Sequence, residues 1–264
     1  MNFNEVHNPF NAPVFYEQSV SSTMDVCRKL AANGEPHGTV IVADFQDRGR
    51  GRQGRTWMTG EVQSLLFTIF LDFKNFSDIP KALTLKTGLA VALAIEDLVP
   101  VLAGSNAVLV KWPNDVIFDG RKAAGILTES DGARVFIGIG VNVTQTEFPQ
   151  ELKSKAVSIK QVYPDLHSNA RSLLLEKILL HLFNEIYKNA ITGDELNIAA
   201  WRERITNRLY KKNENVEFAE GPADSQNIIK GVLTGIGPEG ELLIIPEGQI
   251  KERSFYNGEL RVYE

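Results

Sequence analysis

The stretch AVLVKWPNDVIFDGRKAAGILTE, residues 107–129, decides the fold. Its first residues are apolar up to Lys111 and read as a strand. Pro113 has no N–H to give a ladder, so it stops that strand and holds Trp112 extended. A second apolar run from Val116 reaches Asp119-Gly120, the residue pair that supplies the positive φ angles of a tight primed turn. RKAAGILTE then returns as the second arm of a hairpin. Working outward, further strands are predicted at 39–44 (TVIVAD), 64–71 (SLLFTIFL) and 134–143 (RVFIGIGVNV). Helices are predicted at 83–99 and 170–190. In the latter, Leu175, Ile178, Leu182 and Ile186 recur at spacings of three and four, with Lys177, Glu185 and Lys188 assigned to its surface. A further helix is expected to start at Asp194 as N-cap and to bury Ile198, Trp201 and Ile205. These elements specify an α/β (α+β) fold with a mixed β-sheet and flanking helices.

The 264 residues suit one large domain or two unequal ones. Charge divides the chain unevenly: residues 1–212 hold 24 Lys+Arg and 23 Asp+Glu, residues 213–264 hold 4 and 10. At the same place the pattern changes to short strand-like runs between Gly221-Pro222, Pro238-Glu239-Gly240, Pro246-Glu247-Gly248 and Asn257-Gly258, which reads as a small all-β module. A boundary is therefore expected near Lys211-Lys212-Asn213, giving a first domain at 1–212 and a second at 213–264. The net charge of −5 disfavours a broad nucleic-acid footprint. Cys27 is the only cysteine, so no intrachain disulfide forms. The start MNFNEVHNPF has no apolar signal segment, and the apolar run near 89–95 is too short to cross a bilayer. A soluble, cytoplasmic protein without membrane partners is the expectation.

Residues 48–55, RGRGRQGR, place four arginines and three glycines in eight positions. Arginine presents a planar fork of donors suited to carboxylate and phosphate. Glycine lets the backbone approach a ligand closely. Such a loop should be mobile when empty and ordered by an anion; a solvated basic loop or a weak RNA-binding patch is the alternative. Lys111 and Asp115 stand where α/β sites form, at the end of a strand. Lys111 would bring a charge to phosphate, and Asp115 could hold Mg²⁺, unless Asn114 and Asp115 simply serve a turn. Lys122 follows the Asp-Gly turn and would point toward the same pocket, or else lie on the surface. Gly125, inside a strand, marks close approach of a ligand or another backbone. Gly138 and Gly140 precede no helix and so form no dinucleotide fingerprint. Ser21-Ser22-Thr23 read first as N-cap residues and second as hydroxyl donors to a ligand. His7, His37, His167 and His181 lack metal-ligand spacing, and no P-loop, CxxC, HExxH or GxSxG occurs.

SST (21–23), GRGRQGRTW (49–57), KWPND (111–115), KAAGIL (122–127) and GIGVN (138–142) together resemble the biotin protein ligase family. The resemblance implies a C-terminal SH3-like β-barrel and an enzyme that joins biotin and ATP into biotinyl-5′-adenylate. Biotin would then pass to one lysine of the biotin carboxyl carrier domain of a carboxylase. It implies that Ser22, Thr23, Met24, Gln46, Arg50, Gly51, Arg52, Lys122 and Gly125 form the biotin site. Arg55, Trp57, Lys111, Asn114, Asp115 and Asn142 would serve ATP, Asp115 also Mg²⁺, and Arg52, Lys111 and Lys122 would be catalytic. Two departures stand out. The Ser-Thr pair lies between Ser21 and Met24, where the family often has Asp and Asn; Met24 cannot hydrogen-bond biotin through its side chain. Gln53 replaces a common arginine. Some members carry an N-terminal DNA-binding domain; with 21 residues before Ser22, a ligase without repressor function or DNA partner is expected. A homodimer is compatible with the sequence. The nearest alternative is a lipoate or octanoate ligase or transferase, which shares the catalytic architecture.

Overall fold

The computed structural model describes residues 3–57, 62–102, 104–188, 195–222 and 225–261. The first sheet contains β1 (Val14–Val20), β2 (Val40–Gln46), β3 (Ser64–Asp72), β4 (Val108–Lys111), β5 (Asp115–Phe118), β6 (Arg121–Asp131) and β7 (Arg134–Asn142). Their order is β1-β2-β3-β7-β6-β5-β4, and only β1 and β2 run parallel. Helix α1 (Thr23–Ala32) links the parallel pair, and α2 (Leu83–Leu98) links β3 to β4. After β7 come α3 (Ile159–Val162), α4 (Ala170–Phe183) and α5 (Glu195–Asn207).

Period-two alternation gives the sheet two different faces. Val40, Val42, Leu65, Phe67, Ile69, Ile137, Ile139 and Val141 face the large core, which includes α2 and α4. Ala90, Ala92 and Ala94 keep α2 slim, and Gly88 lies so close to β4 that a Cβ there would stand 3.3 Å from Val110 Cγ1. Ile41, Phe70 and Phe136 point the other way and pack with Met24, Cys27 and Ala31 of α1 in a smaller cluster. Because α1 covers only part of that second face, the sheet leaves room there for a cleft.

The Asp119-Gly120 turn forms as expected, with φ of 51° and 71°. Pro113 does end β4: residues 112–114 form a turn, with a cis Trp112-Pro113 bond, that pairs β4 with β5. The helix expected over 170–190 ends sooner as an α-helix and continues as a π-turn through Asn184–Lys188. Glu185 is not a surface residue; it is buried and paired with Arg204 at 2.7 Å. Trp201 and Ile205 are buried as expected, whereas Asp194 and the side chain of Ile198 lie outside the described residues.

The second sheet has β8 (Asn215–Glu220), β9 (Ile228–Ile236), β10 (Leu242–Pro246), β11 (Arg253–Phe255) and β12 (Gly258–Arg261), in the open order β11-β10-β9-β8-β12. Its turns use glycines with positive φ at Gly221, Gly240, Gly248 and Gly258. Phe218, Leu233, Ile244 and Phe255 belong to the same core cluster as α2, so both sheets share buried apolar surface. Among the described residues, no helix is long and apolar enough to cross a membrane.

Candidate active site

One cleft opens on the second face of the large sheet. Its floor is built by absence of side chains: Gly125 and Gly140 are direct partners across β6 and β7. The indole of Trp57 lies on this pair. A Cβ at Gly140 would fall 2.6 Å from Trp57 Cε2, and one at Gly125 would fall 2.7 Å from Cζ3. The close approach at Gly125 is thus by Trp57 and by the Lys122 side chain. Lys122 Nζ stands 5.4 Å from the centre of the indole. Trp57 Nε1 is buried without a hydrogen-bond partner among the described residues.

Trp57 is delivered by the Arg-Gly segment, which folds back as a small hairpin. Arg50 bridges Thr56, Gly51 N–H donates to Arg55 O at 2.7 Å, and Trp57 N–H donates to Gly49 O at 2.9 Å. Gln53 and Gly54 supply the tip with φ of 55° and 75°. Three arginines fasten the hairpin to three elements. Arg50 donates to both Asp25 oxygens of α1 at 2.6 and 3.3 Å, Arg52 to Asn114 Oδ1 at 3.3 Å, and Arg55 to both carboxylate oxygens of Glu259 in β12.

At one end of the cleft stand the cations. Lys111 and Asp115 are cross-strand partners, and Lys122 Nζ lies 2.6 Å from Asp115 Oδ1. Burial pulls the Lys111 pKa below that of a free lysine, against the opposing charges of Asp115 and Glu259. Burial also lowers Arg52. Burial alone would raise Glu259, but the Arg55 hydrogen bond and the charges of Arg55, Lys111 and Arg52 outweigh it and hold Glu259 below the ordinary carboxylate range.

The other end is polar and closed. Gln46 Oε1 accepts from Thr23 N at 2.7 Å and from Thr23 Oγ1 at 2.9 Å. Ser22 occupies the N-cap position of α1, yet its side chain makes no capping bond. The N-cap role is therefore corrected: the hydroxyl borders the cleft instead.

Ser22, Thr23, Met24, Gln46, Arg50, Gly51, Arg52, Arg55, Trp57, Lys111, Asn114, Asp115, Lys122 and Gly125 all line this cleft. Asn142 does not. It is buried behind the floor, donating to Val157 O at 3.2 Å and Lys122 O at 3.3 Å, so its amide ties β7 to its neighbours. Two lining residues escape the sequence reading. Thr68 is a lone hydroxyl inside the apolar run SLLFTIFL, which is a local signal. Glu259 arrives from the other sheet, and nothing around it in sequence marks it.

The match to known proteins can now be set beside this geometry. Residues 16–143 match the model of the biotin/lipoate A/B protein ligase family. Biotin–protein ligase 2 of Arabidopsis thaliana is 32% identical over 91% of this chain and 72% of its own. The chain belongs to the biotin protein ligase family. The bifunctional ligase/repressor BirA of Bacillus spizizenii is 37% identical over 68% of this chain but 55% of its own, so the chain spans just over half of that relative. Among solved structures, the family member from Aquifex aeolicus in complex with biotin and ATP aligns with a TM-score of 0.76, at 28% identity over 94% of this chain and 97% of its own.

Proposed function

We propose that the protein is an ATP-dependent biotin ligase: it forms biotinyl-5′-adenylate and passes biotin to a lysine of a biotin carboxyl carrier domain. The observation that carries this reading is a cleft with cations at one end and a hydrogen-bonding pocket at the other, roofed by the arginine hairpin. Biotin is a bicyclic urea with an apolar chain and a carboxylate. Its ureido edge suits Ser22, Thr23 and Gln46, and its carboxylate would lie toward Arg50, Arg52 and Lys122. A biotin complex and a biotin–ATP complex of the Aquifex aeolicus relative support the substrates.

In the first step a carboxylate oxygen attacks the α-phosphorus of ATP, and the bond to pyrophosphate breaks. Two anions must meet, so fixed positive charge in a site shielded from water is the main demand. Arg52, Lys111 and Lys122 supply it, and most of the acceleration is positioning. The half-buried Trp57 ring, with an indole N–H that has no partner among the described residues, suits a nucleotide base, with Arg55 and Asn114 lining the same cleft. Asn142 supports this site from behind, through the Lys122 carbonyl. Asp115, whose Oδ1 lies 2.6 Å from Lys122 Nζ, would hold Mg²⁺, and that ion would help neutralise the charge of the substrate phosphates. The hairpin then shields the mixed anhydride until an uncharged carrier lysine attacks its acyl carbon and AMP leaves with the bonding electrons.

We also assign residues 1–212 to the catalytic domain and residues 213–264 to the family's SH3-like module. The test is biotin-dependent exchange of pyrophosphate into ATP, followed by mass spectrometry of a carrier domain incubated with biotin and ATP. Absence of exchange at saturating Mg-ATP rejects the reading. Lipoate or octanoate in place of biotin should give none. Lys122→Ala should lower the exchange rate or biotin affinity at least about tenfold, because it removes one of the fixed positive charges that line the cleft.

A further inference from the structure

At the closed end of the cleft the hydrogen atoms can be placed by elimination. Thr23 N–H is a fixed donor, 2.7 Å from the Gln46 side chain, so the atom facing it is Oε1 and not the amide nitrogen. Thr23 Oγ1 is 2.9 Å from that same oxygen. A carbonyl carries no hydrogen, so the Thr23 hydroxyl donates there and its only hydrogen is spent. Thr68 Oγ1 lies 2.9 Å from Thr23 Oγ1 on its other side and must be the donor in that pair. Thr68 is completely buried in β3, lines the cleft and faces Gly138 across the ladder, where a Cβ would stand 3.6 Å from Thr68 Oγ1 and 3.0 Å from Met24 Cε.

We infer that Thr68 is a positioning residue that fixes the polarity of this pocket: its hydroxyl pins Thr23 as an acceptor, beside the Gln46 amide nitrogen that Thr23 N–H already turns outward as a donor. Gln46 Nε2 and Ser22 Oγ have no partner among the described residues, and both border the cleft. The complementary ligand edge offers an N–H beside a carbonyl, as a cyclic urea does. An edge with only acceptors would set a lone pair against the remaining lone pair of Thr23. Without the Thr68 donor, the Thr23 hydroxyl is free to swing from Gln46 and donate to such an edge. The inference rests on the reading of the cleft as a biotin site.

The experiment compares biotin with its cyclic carbamate analogues, in which oxygen replaces one ureido N–H. Calorimetry measures both on wild type, Thr68→Val, Thr68→Ala and Thr68→Ser, with pyrophosphate exchange in parallel. Val keeps the shape and loses the hydroxyl; Ala covers the case in which Val does not fold. The expected result for Val or Ala is about tenfold weaker biotin binding, a preference for biotin over carbamate narrowed at least about tenfold, and an unchanged exchange rate at saturating biotin. Ser restores both values. A purely structural role would weaken both ligands alike, so an unchanged preference overturns the assignment of Thr68. Wild type that binds no biotin overturns the proposed function instead.

Discussion

Gly140 shows how a single residue shapes the cleft. Its backbone is ordinary strand, so an added methyl group meets no φ penalty. It meets Trp57, whose ring carbons and Nε1 would lie between 2.6 and 2.9 Å away. Real carbon contacts begin near 3.5 Å, so the indole must lift. Because Trp57 sits on the hairpin and not in the core, the fold survives. Gly140→Ala should therefore unfold within a few degrees of the parent but raise the KM for ATP about tenfold or more, with a smaller effect on biotin; equal ATP kinetics in the two proteins would rule out the indole as a nucleotide contact. Lys111 carries a pH prediction. Burial disfavours its charged form, so it loses its proton at a lower pH than a free lysine, whose pKa is 10.5. Adenylation should fall on the alkaline side beginning below that value. Lys111→Arg, slower throughout, should lack this limb because guanidinium stays charged. A shared alkaline limb would assign it to another group.

At the scale of elements, much of the architecture was legible. The 64–72 and 134–142 strands, both long helices and the Asp119-Gly120 hairpin announce themselves through period and turn chemistry. β1 carries little signal because it is an edge strand, mostly exposed, so VFYEQSV shows little alternation. Helical period places Glu185 on the outer face, but elements distant in sequence cover it: Arg204 of α5 pairs with it, and its charge acts on Lys86 of α2. The Arg-Gly segment was legible as an anion loop, but its hairpin pairing and three anchors depend on elements far away in sequence. Those anchors differ in weight. Arg50 and Asp25 are both over a third exposed, so their pair contributes at most about 1 kcal/mol. Arg52 reaches into the cleft and is half buried. Asp25→Ala should thus barely change retention of the adenylate, while Arg52→Gly should release several-fold more of it into solution. Quantifying free biotinyl-5′-adenylate by chromatography checks this; equal release from Arg52→Gly and the parent would remove the hairpin's retaining role.

The whole molecule brings together what neither sheet holds alone. The Trp112 indole, in the turn after β4, donates to Gly240 O at 3.0 Å and packs edge-on against Phe218 with ring centres 5.8 Å apart. The Gly240 turn is also wedged against the start of α2: a Cβ there would fall 2.7 Å from Ala82 Cβ. The connection runs past the edge of β4, where Val110 N–H donates to Arg208 O and Tyr210 N–H donates to Val110 O. Arg208 is itself locked to buried Glu96 at 2.7 and 2.9 Å. The second sheet is thus held in one pose, and from that pose β12 reaches Glu259 into the cleft to meet Arg55. This explains why the KWPND motif contains a tryptophan that lies between the sheets: it links the strand carrying Lys111 to the sheet carrying Glu259. Trp112→Phe keeps a ring against Phe218 but leaves the Gly240 carbonyl without its donor, a loss of about 1–3 kcal/mol. If the docking matters to the site, the melting temperature should drop by several degrees, and the KM for ATP should rise several-fold as Glu259 and Arg55 lose register. Biotin affinity, if its ureido end is held by Ser22, Thr23 and Gln46 as proposed, should stay within about twofold, because none of these residues touches the second sheet. Glu259→Gln, with no change between the sheets, should reproduce the ATP defect without the full thermal loss, because it weakens the Arg55 contact alone. A Trp112→Phe protein that melts earlier yet keeps parental ATP kinetics would show that the second sheet stabilises the fold without shaping the nucleotide end of the cleft.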